Sequence, residues 1–401
     1  MRSIKYLSFF VLMAFSAAVS CRKESDVASM DGDFGKGEKM TFRAYASPLA
    51  KSHLETSDDN TDAEGTLYWD SSDCVGILSI YMNNEGEDSG KFNEYCSSCA
   101  ESYSAGEYIG ISVDKYITSS YASVSPDSET STSATLYSAL GKEEWFANSD
   151  EAEEGKAAYF DFVGIYPMSS APEFKIVKKS SDGDVILGIP VNIGTYQRHS
   201  EGFGKYHICM DSGVDREDDA MGFYTMSGVL DGTETVSFDD FSPLTALLQF
   251  DIRSDSPNSV MLERIMIHSE NNDVVLSGGA YVSADGAFKY IYPDGYNSCS
   301  YVDLRLYDGT GYYPLVNNSS DGTVYSAVVL PSYKSLIDLA PEVCRFYGGE
   351  TLVFEGYDVR GVKVFEARKV MPEDGFAPGT RYCFTLDFTT VDNMTLSGEF
   401  S

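Results

Sequence analysis

Asp-Gly pairs set between short stretches of alternating apolar and polar residues constrain this chain more than any other feature. Asp-Gly accepts the left-handed backbone of a two-residue β-turn, so each pair joins two antiparallel strands tightly. Asp182-Gly183 lies between residues 174–177 and 185–187, and Asp285-Gly286 lies between residues 281–283 and 288–291. Asp308-Gly309 is a third pair, and Arg360-Gly361 turns a fourth hairpin within residues 352–365. Upstream, Met40, Phe42, Ala44 and Ala46 alternate with Thr41, Arg43 and Tyr45, the period of a half-buried strand. Residues 75–81 read as another strand. With 28 Tyr, 23 Phe and 35 Gly, the composition also leans toward sheet. The expected fold class is all-β, built of β-sandwich domains.

A single core stops growing at about 250 to 300 residues, so 401 residues predict two domains. The division is expected near Asp231-Gly232, before Val236 opens a new strand series, giving domains 40–231 and 232–401. Within the first, residues 119–133 are nearly all Ser, Thr and small residues and read as an exposed loop. Residues 135–146 read as a short helix, and 53–65 as polar loop.

At the N-terminus, Arg2 and Lys5 precede an apolar run over residues 6–19. A membrane-spanning helix needs roughly 20 apolar residues, so residues 1–20 read as a removable export signal. Ala17-Ala18-Val19-Ser20-Cys21 resembles the lipobox of a bacterial lipoprotein, with Ala18 where leucine is usual. Cys21 would then be acylated and become the new N-terminus; the other reading is an ordinary signal cut nearby, with Cys21 a passive thiol. Residues 21–39 lack apolar periodicity and read as a flexible, lipidated tether. Export permits disulfides. Cys74, Cys96, Cys99, Cys209, Cys299, Cys344 and Cys383 are odd in number, so at least one stays free or pairs between chains.

Lys and Arg total 29 against 62 Asp and Glu, a net charge of −33 that becomes −35 once Arg2 and Lys5 are removed. Such a surface repels phosphate, which excludes nucleic acid as a partner. Chemistry-bearing groups are sparse. His53, His199, His207 and His268 read as surface loop histidines, and His207 with Cys209 matches no standard zinc spacing. Cys96-Ser97-Ser98-Cys99 has redox spacing in what reads as polar loop, so a local disulfide or two thiols is expected. Asp58-Asp59-Asn60-Thr61-Asp62 resembles the opening of a calcium loop, but Ala63 and Trp69 stand where glycine and glutamate are needed. Nucleophile elbow, phosphate loop and dinucleotide fingerprint are all missing from the sequence. The expectation is a protein that is not an enzyme and takes no cofactor.

Several landmarks fall in one order. Trp69 to Ile77, through Asp73 and Gly76, resembles an early segment of the Bacteroidetes fimbrillin family. Val163-Gly164-Ile165-Tyr166-Pro167 looks like that family's A-x-Y-P strand, and Ile189-Pro190 followed by Gln197 looks like its L-P…Q element. Phe238 with residues 244–250 resembles a later family strand without its histidine, and Pro378-Gly379-Thr380-Arg381-Tyr382 is similar to the late P-G-x-x-Y strand. The resemblance implies two transthyretin-like β-sandwich domains, a lipoprotein of the outer membrane surface, and a role as a building block of fimbriae that supports adhesion. In polymerising members an arginine-specific protease removes the lipidated end with the first strand, and a strand from a neighbouring subunit fills the groove. Here Met394, Leu396 and Phe400 alternate with Thr395, Ser397 and Glu399, a strand that is either donated or kept in its own domain. Between Arg43 and Arg198 there is no arginine. Cleavage therefore falls at Arg43 or Lys51, or the subunit stays uncut as an anchor or accessory. Implied partners are other fimbrial subunits, the outer membrane through the Cys21 lipid, and host or bacterial surface ligands. The alternative is a non-polymerising surface lipoprotein that binds glycans or host ligands through aromatic stacking, with Trp145 as a platform and Trp69 in the core.

Overall fold

Strands whose side chains alternate between core and solvent make up most of the computed structural model of this protein. It describes residues 40–46, 50–53, 68–83, 90–128, 131–146, 157–201, 207–212, 220–224, 230–232, 235–285, 288–307, 312–319, 323–334 and 343–391, all within one unit, Lys36–Ser401. The export signal, Cys21, the tether, the acidic run at 58–62, Asp308-Gly309 and the segment with Met394, Leu396 and Phe400 lie outside the described residues.

The first core is wrapped by strands paired in a closed circuit. Thr41–Ala46 lies between Thr235–Pro243, which runs parallel to it, and Ser133–Ser138, which runs antiparallel. From Ser133–Ser138 the ladder continues through Ile117–Pro126, Cys74–Asn83 and Ala157–Tyr166. Cys209–Ser212 bridges Ala157–Tyr166 back to Thr235–Pro243 and completes the ring. Closure satisfies backbone groups that an open sheet would expose at its edges. At Gly164 the interior leaves no room for a side chain: a Cβ there would sit 2.5 Å from the Phe241 ring.

The second core lies between two layers. One contains Tyr301–Arg305, Val260–Ser269, Thr351–Asp358 and Lys363–Val370; the other contains Thr380–Thr390, Ala246–Ser254 and Tyr325–Val329. Phe250 meets Phe354 edge-on at 5.7 Å, and Phe365 stacks on Phe388 at 5.7 Å across the gap. The layers join at a corner where Phe365 and Glu366 pair with Thr390 and Thr389.

A five-stranded sheet ties the two halves of the chain together. Its order is Phe288–Cys299, Ser277–Asp285, Val185–Ile193, Phe174–Lys179, Tyr108–Val113. The Asp182-Gly183 and Arg360-Gly361 turns join the strands expected of them, with Gly183 at φ 93° and Gly361 at φ 76°. Asp285 pairs directly with Phe288 across its turn.

Three expectations are corrected. The switch between cores does not fall at Asp231-Gly232: Thr235–Pro243 beyond it still belongs to the first circuit, with Val236, Phe238 and Phe241 in the first core. Alternation announces a new strand there, but which sheet it joins is set by distant partners. Residues 119–133 are mostly strand, Ile117–Pro126, because Ala122 and Val124 turn inward while their serine neighbours face out. Residues 135–146 begin inside the strand Ser133–Ser138, and helix forms only over Lys142–Trp145.

Gln197 pins the chain as it crosses to the second sheet. It is 1% exposed. Its Nε2 donates to Val328 O at 2.7 Å, and its Oε1 accepts from Val328 N–H at 2.8 Å, so a side chain replaces a neighbouring strand. Replacing Gln197 with Leu leaves both Val328 groups buried and unpaired, which should cost about 1–3 kcal/mol for each unsatisfied group. Urea unfolding followed by tryptophan fluorescence reads the loss.

Candidate functional site

The site suggested by the sequence is the slot held by the N-terminal strands. Along Thr41–Ala46, Phe42 and Ala44 are fully buried while Arg43 faces outward. The Phe42 ring stacks on Phe238 at 6.2 Å and meets Trp145 edge-on at 5.4 Å and Phe162 at 5.8 Å. Both flanking strands come from later in the chain, so the socket around Phe42 is built without the segment that fills it.

Arg43 anchors this strand from outside. Its two terminal nitrogens donate to Asp127 at 3.2 Å and 2.7 Å, and one also donates to Thr135 Oγ1 at 2.8 Å. These hydrogen bonds hold the Asp127 carboxyl below its usual range and raise Arg43. Arg43 lies in a strand hydrogen-bonded on both sides, and a protease needs an unpaired, extended substrate. Lys51 lies in Ala50–His53, which among the described residues pairs along one side, in parallel with residues 380–383.

The strand Thr380–Thr390 therefore has two different flanks. On one, Arg381 to Phe388 pair continuously with Ala246–Ser254. On the other, Ala50–His53 pairs with residues 380–383, and Lys363–Val370 pairs with Thr389 and Thr390. Among the described residues, nothing pairs with 384–388 on that side, where the layers part.

The remaining candidates separate. His207 is not a surface histidine: it is fully buried, with Nδ1 2.7 Å from Thr245 Oγ1, and burial pushes it down to about 3. His199 packs on Tyr325 at 4.8 Å, and His268 Nε2 lies 3.8 Å from Glu355. Cys96 and Cys99 sit on a helix, Gly90–Cys99, rather than a loop, because Phe92, Cys96 and Ala100 form a buried stripe at helical spacing. Burial pushes the Cys96 thiol up to about 12, and all seven cysteines beyond Cys21 are free thiols. Trp145, expected as a stacking platform, is fully buried, as Trp69 nearly is. Exposed aromatic surface falls to tyrosine instead: Tyr108 and Tyr296 are 44% and 83% exposed, with ring centroids 6.3 Å apart. Arg381 is buried without any local signal of it. Tyr382, Phe384, Leu386 and Phe388 take the core face of its strand, so alternation alone turns Arg381 outward.

No family model matches the sequence, and no curated protein matches it. Solved structures do. A candidate cell adhesion protein from Bacteroides ovatus is 13% identical with a TM-score of 0.40, covering 89% of this chain and 97% of that one. A candidate cell adhesion protein from Bacteroides fragilis is 12% identical with a TM-score of 0.37, covering 89% and 95%. A fimbrial protein from Bacteroides ovatus is 8% identical with a TM-score of 0.33, and the match spans 88% of this chain but about half, 51%, of that protein.

His207 yields a pH signature. Its folded pKa of about 3 lies below the ordinary 6.5 of the unfolded chain. The unfolded state therefore binds the extra proton between those values, and stability falls as pH drops through that window. The stability-versus-pH slope of His207→Gln should be shallower there by one proton than that of the unaltered protein, measured by urea unfolding at each pH.

Proposed function

We propose that this chain is a structural or accessory subunit of cell-surface fimbriae, assembled by strand exchange between copies and supporting adhesion. The observation that carries this reading is the place of Thr41–Ala46: it closes the first circuit between two strands contributed by later sequence. Lifting it out leaves two open strand edges and the Phe42 socket, while the rest of the chain keeps its connectivity. Open edges are adhesive. An extended segment from another copy can pair with both edges and fill the socket with alternate side chains.

On this reading residues 1–20 direct export, Cys21 carries the lipid that holds the precursor at the outer membrane, and cleavage frees the slot. Lys51 is the better cleavage point of the two, because among the described residues its strand is paired on one side where that of Arg43 is paired on both. A cut after Lys51 also releases Thr41–Ala46 with the lipid. The donor is the segment with Met394, Leu396 and Phe400 on one apolar face. A second reading, glycan binding by a subunit that never polymerises, is favoured only by the exposed Tyr108–Tyr296 pair.

Fimbriae sheared from cells and run on a denaturing gel without boiling should give a regular ladder that collapses to one band on boiling. Lys51→Gln should abolish the ladder and leave one uncut band in the membrane fraction. A single band from the unaltered protein, together with glycan-array binding that Tyr296→Ala removes, would replace the fimbrial reading with the second.

A further inference from the structure

The strand Ile117–Pro126 owes its outer face to serine and tyrosine. It buries Ala122 and Val124 and turns Tyr121, Ser123 and Ser125 outward. Beside it, Ser133–Ser138 buries Ala134 and Leu136 and turns Thr135 and Tyr137 outward. Thr41, Arg43, Thr235 and Ser237 continue that face over the next two strands of the circuit. Among these outward positions only Arg43 is charged, and Asp127 pairs with it. The outer face over the second core is built differently, laced by ion pairs of Arg264 with Asp303, Lys363 with Glu355 and Arg368 with Glu366.

In a chain of net charge −33, most surfaces of two copies repel each other. A face of four strands that carries no net charge is where that repulsion is least. Its composition is also that of a protein contact. The centres of protein interfaces are depleted of charge and enriched in tyrosine. Tyrosine beside serine supplies rigid contact area next to small hydrogen-bonding groups. The relief is self-complementary. Tyr121 and Tyr137 are 52% and 62% exposed, and they lie on a diagonal of neighbouring strands, about 7–8 Å apart. Tyr137 directly faces Ser123, and Ser125 faces Thr135. Each projecting ring therefore borders a hollow over small side chains, and a two-fold rotation sets the rings of one copy over the hollows of another.

We propose that this face is a lateral contact between two copies of this chain, with Tyr121 and Tyr137 of each set into the serine and threonine hollows of the other. A two-fold contact uses one patch twice, so it needs no second surface on the molecule. It goes beyond strand exchange and does not depend on it. Both tyrosines stand on strands that keep their place when Thr41–Ala46 is lifted out. Strand exchange joins copies end to end, and this contact joins them side by side.

Sedimentation equilibrium of the uncut full chain reads this contact alone, with Cys21→Ser so that no lipid gathers copies and with the slot still filled. The expected result is a reversible monomer–dimer equilibrium that tightens as salt screens the net charge. Tyr121→Asp and Tyr137→Asp each enter the dimer twice, and each should weaken it at least about 30-fold. Tyr121→Ser and Tyr137→Ser add no charge and keep the test open if aspartate impairs folding. A chain with both tyrosines changed to Asp and a chain with both changed to Lys should each be monomeric, and the two should form a mixed dimer when combined. Tyr312→Ala, which removes an exposed ring outside this face, should leave the equilibrium unchanged. A monomer at every concentration and salt would overturn the lateral contact and leave strand exchange standing. A monomer that binds neutral glycans on an array, and loses that binding with Tyr137→Ser, would overturn it by giving the face to sugar. A dimer weakened as much by Tyr312→Ala as by Tyr137→Ser would overturn it by placing the contact elsewhere.

Discussion

Backbone hydrogen bonding along Thr41–Ala46 closes the strand circuit around the first core, and the packing inside depends on that closure. The strand is short and buries only Phe42 and Ala44 completely. Most of what it supplies is pairing for the inner edges of its two neighbours, whose buried N–H and C=O groups are costly to leave open. The Phe42 socket, the tight approach at Gly164 and the buried Trp145 all assume that this gap is filled. A slot whose walls belong to one part of the chain and whose filling belongs to another can be refilled.

Much of the strand content was legible because turn chemistry and alternation are local. Asp182-Gly183, Asp285-Gly286 and Arg360-Gly361 each join strands that pair as their flanking residues indicate. What escaped was information held at a distance. Ile117–Pro126 is rich in serine, and it is a strand because Cys74–Asn83 and Ser133–Ser138 pair on either side of it. The helix Gly90–Cys99 shows its period only through Phe92, Cys96 and Ala100, among residues that otherwise suggest loop. His207 looks like a loop histidine until Thr245 arrives beside it from the start of the second core.

The same division runs through the candidate site. Arg43 and Lys51 could be named from residue type alone, but only the sheet distinguishes a strand paired on both sides from one paired on one side. Arg381 could not be found at all from sequence. Alternation turns it away from Tyr382 and its companions, and its burial comes from a layer assembled from other parts of the chain. Electrostatics adds a constraint on any assembly. Copies carrying a net charge of −33 repel one another, so association must come from backbone pairing, apolar contact and a few well-placed cations.

The five-stranded sheet has a consequence for how the protein is made. Val185–Ile193 pairs early with Phe174–Lys179, but its other flank stays open until Ser277–Asp285 has been synthesised. Likewise Thr41–Ala46 waits for Thr235–Pro243. Contacts this distant in sequence carry a large loop-closure cost and slow folding. The early segments therefore spend a long interval with exposed strand edges during synthesis. Whatever accompanies the growing chain must shield those edges until its later portion arrives.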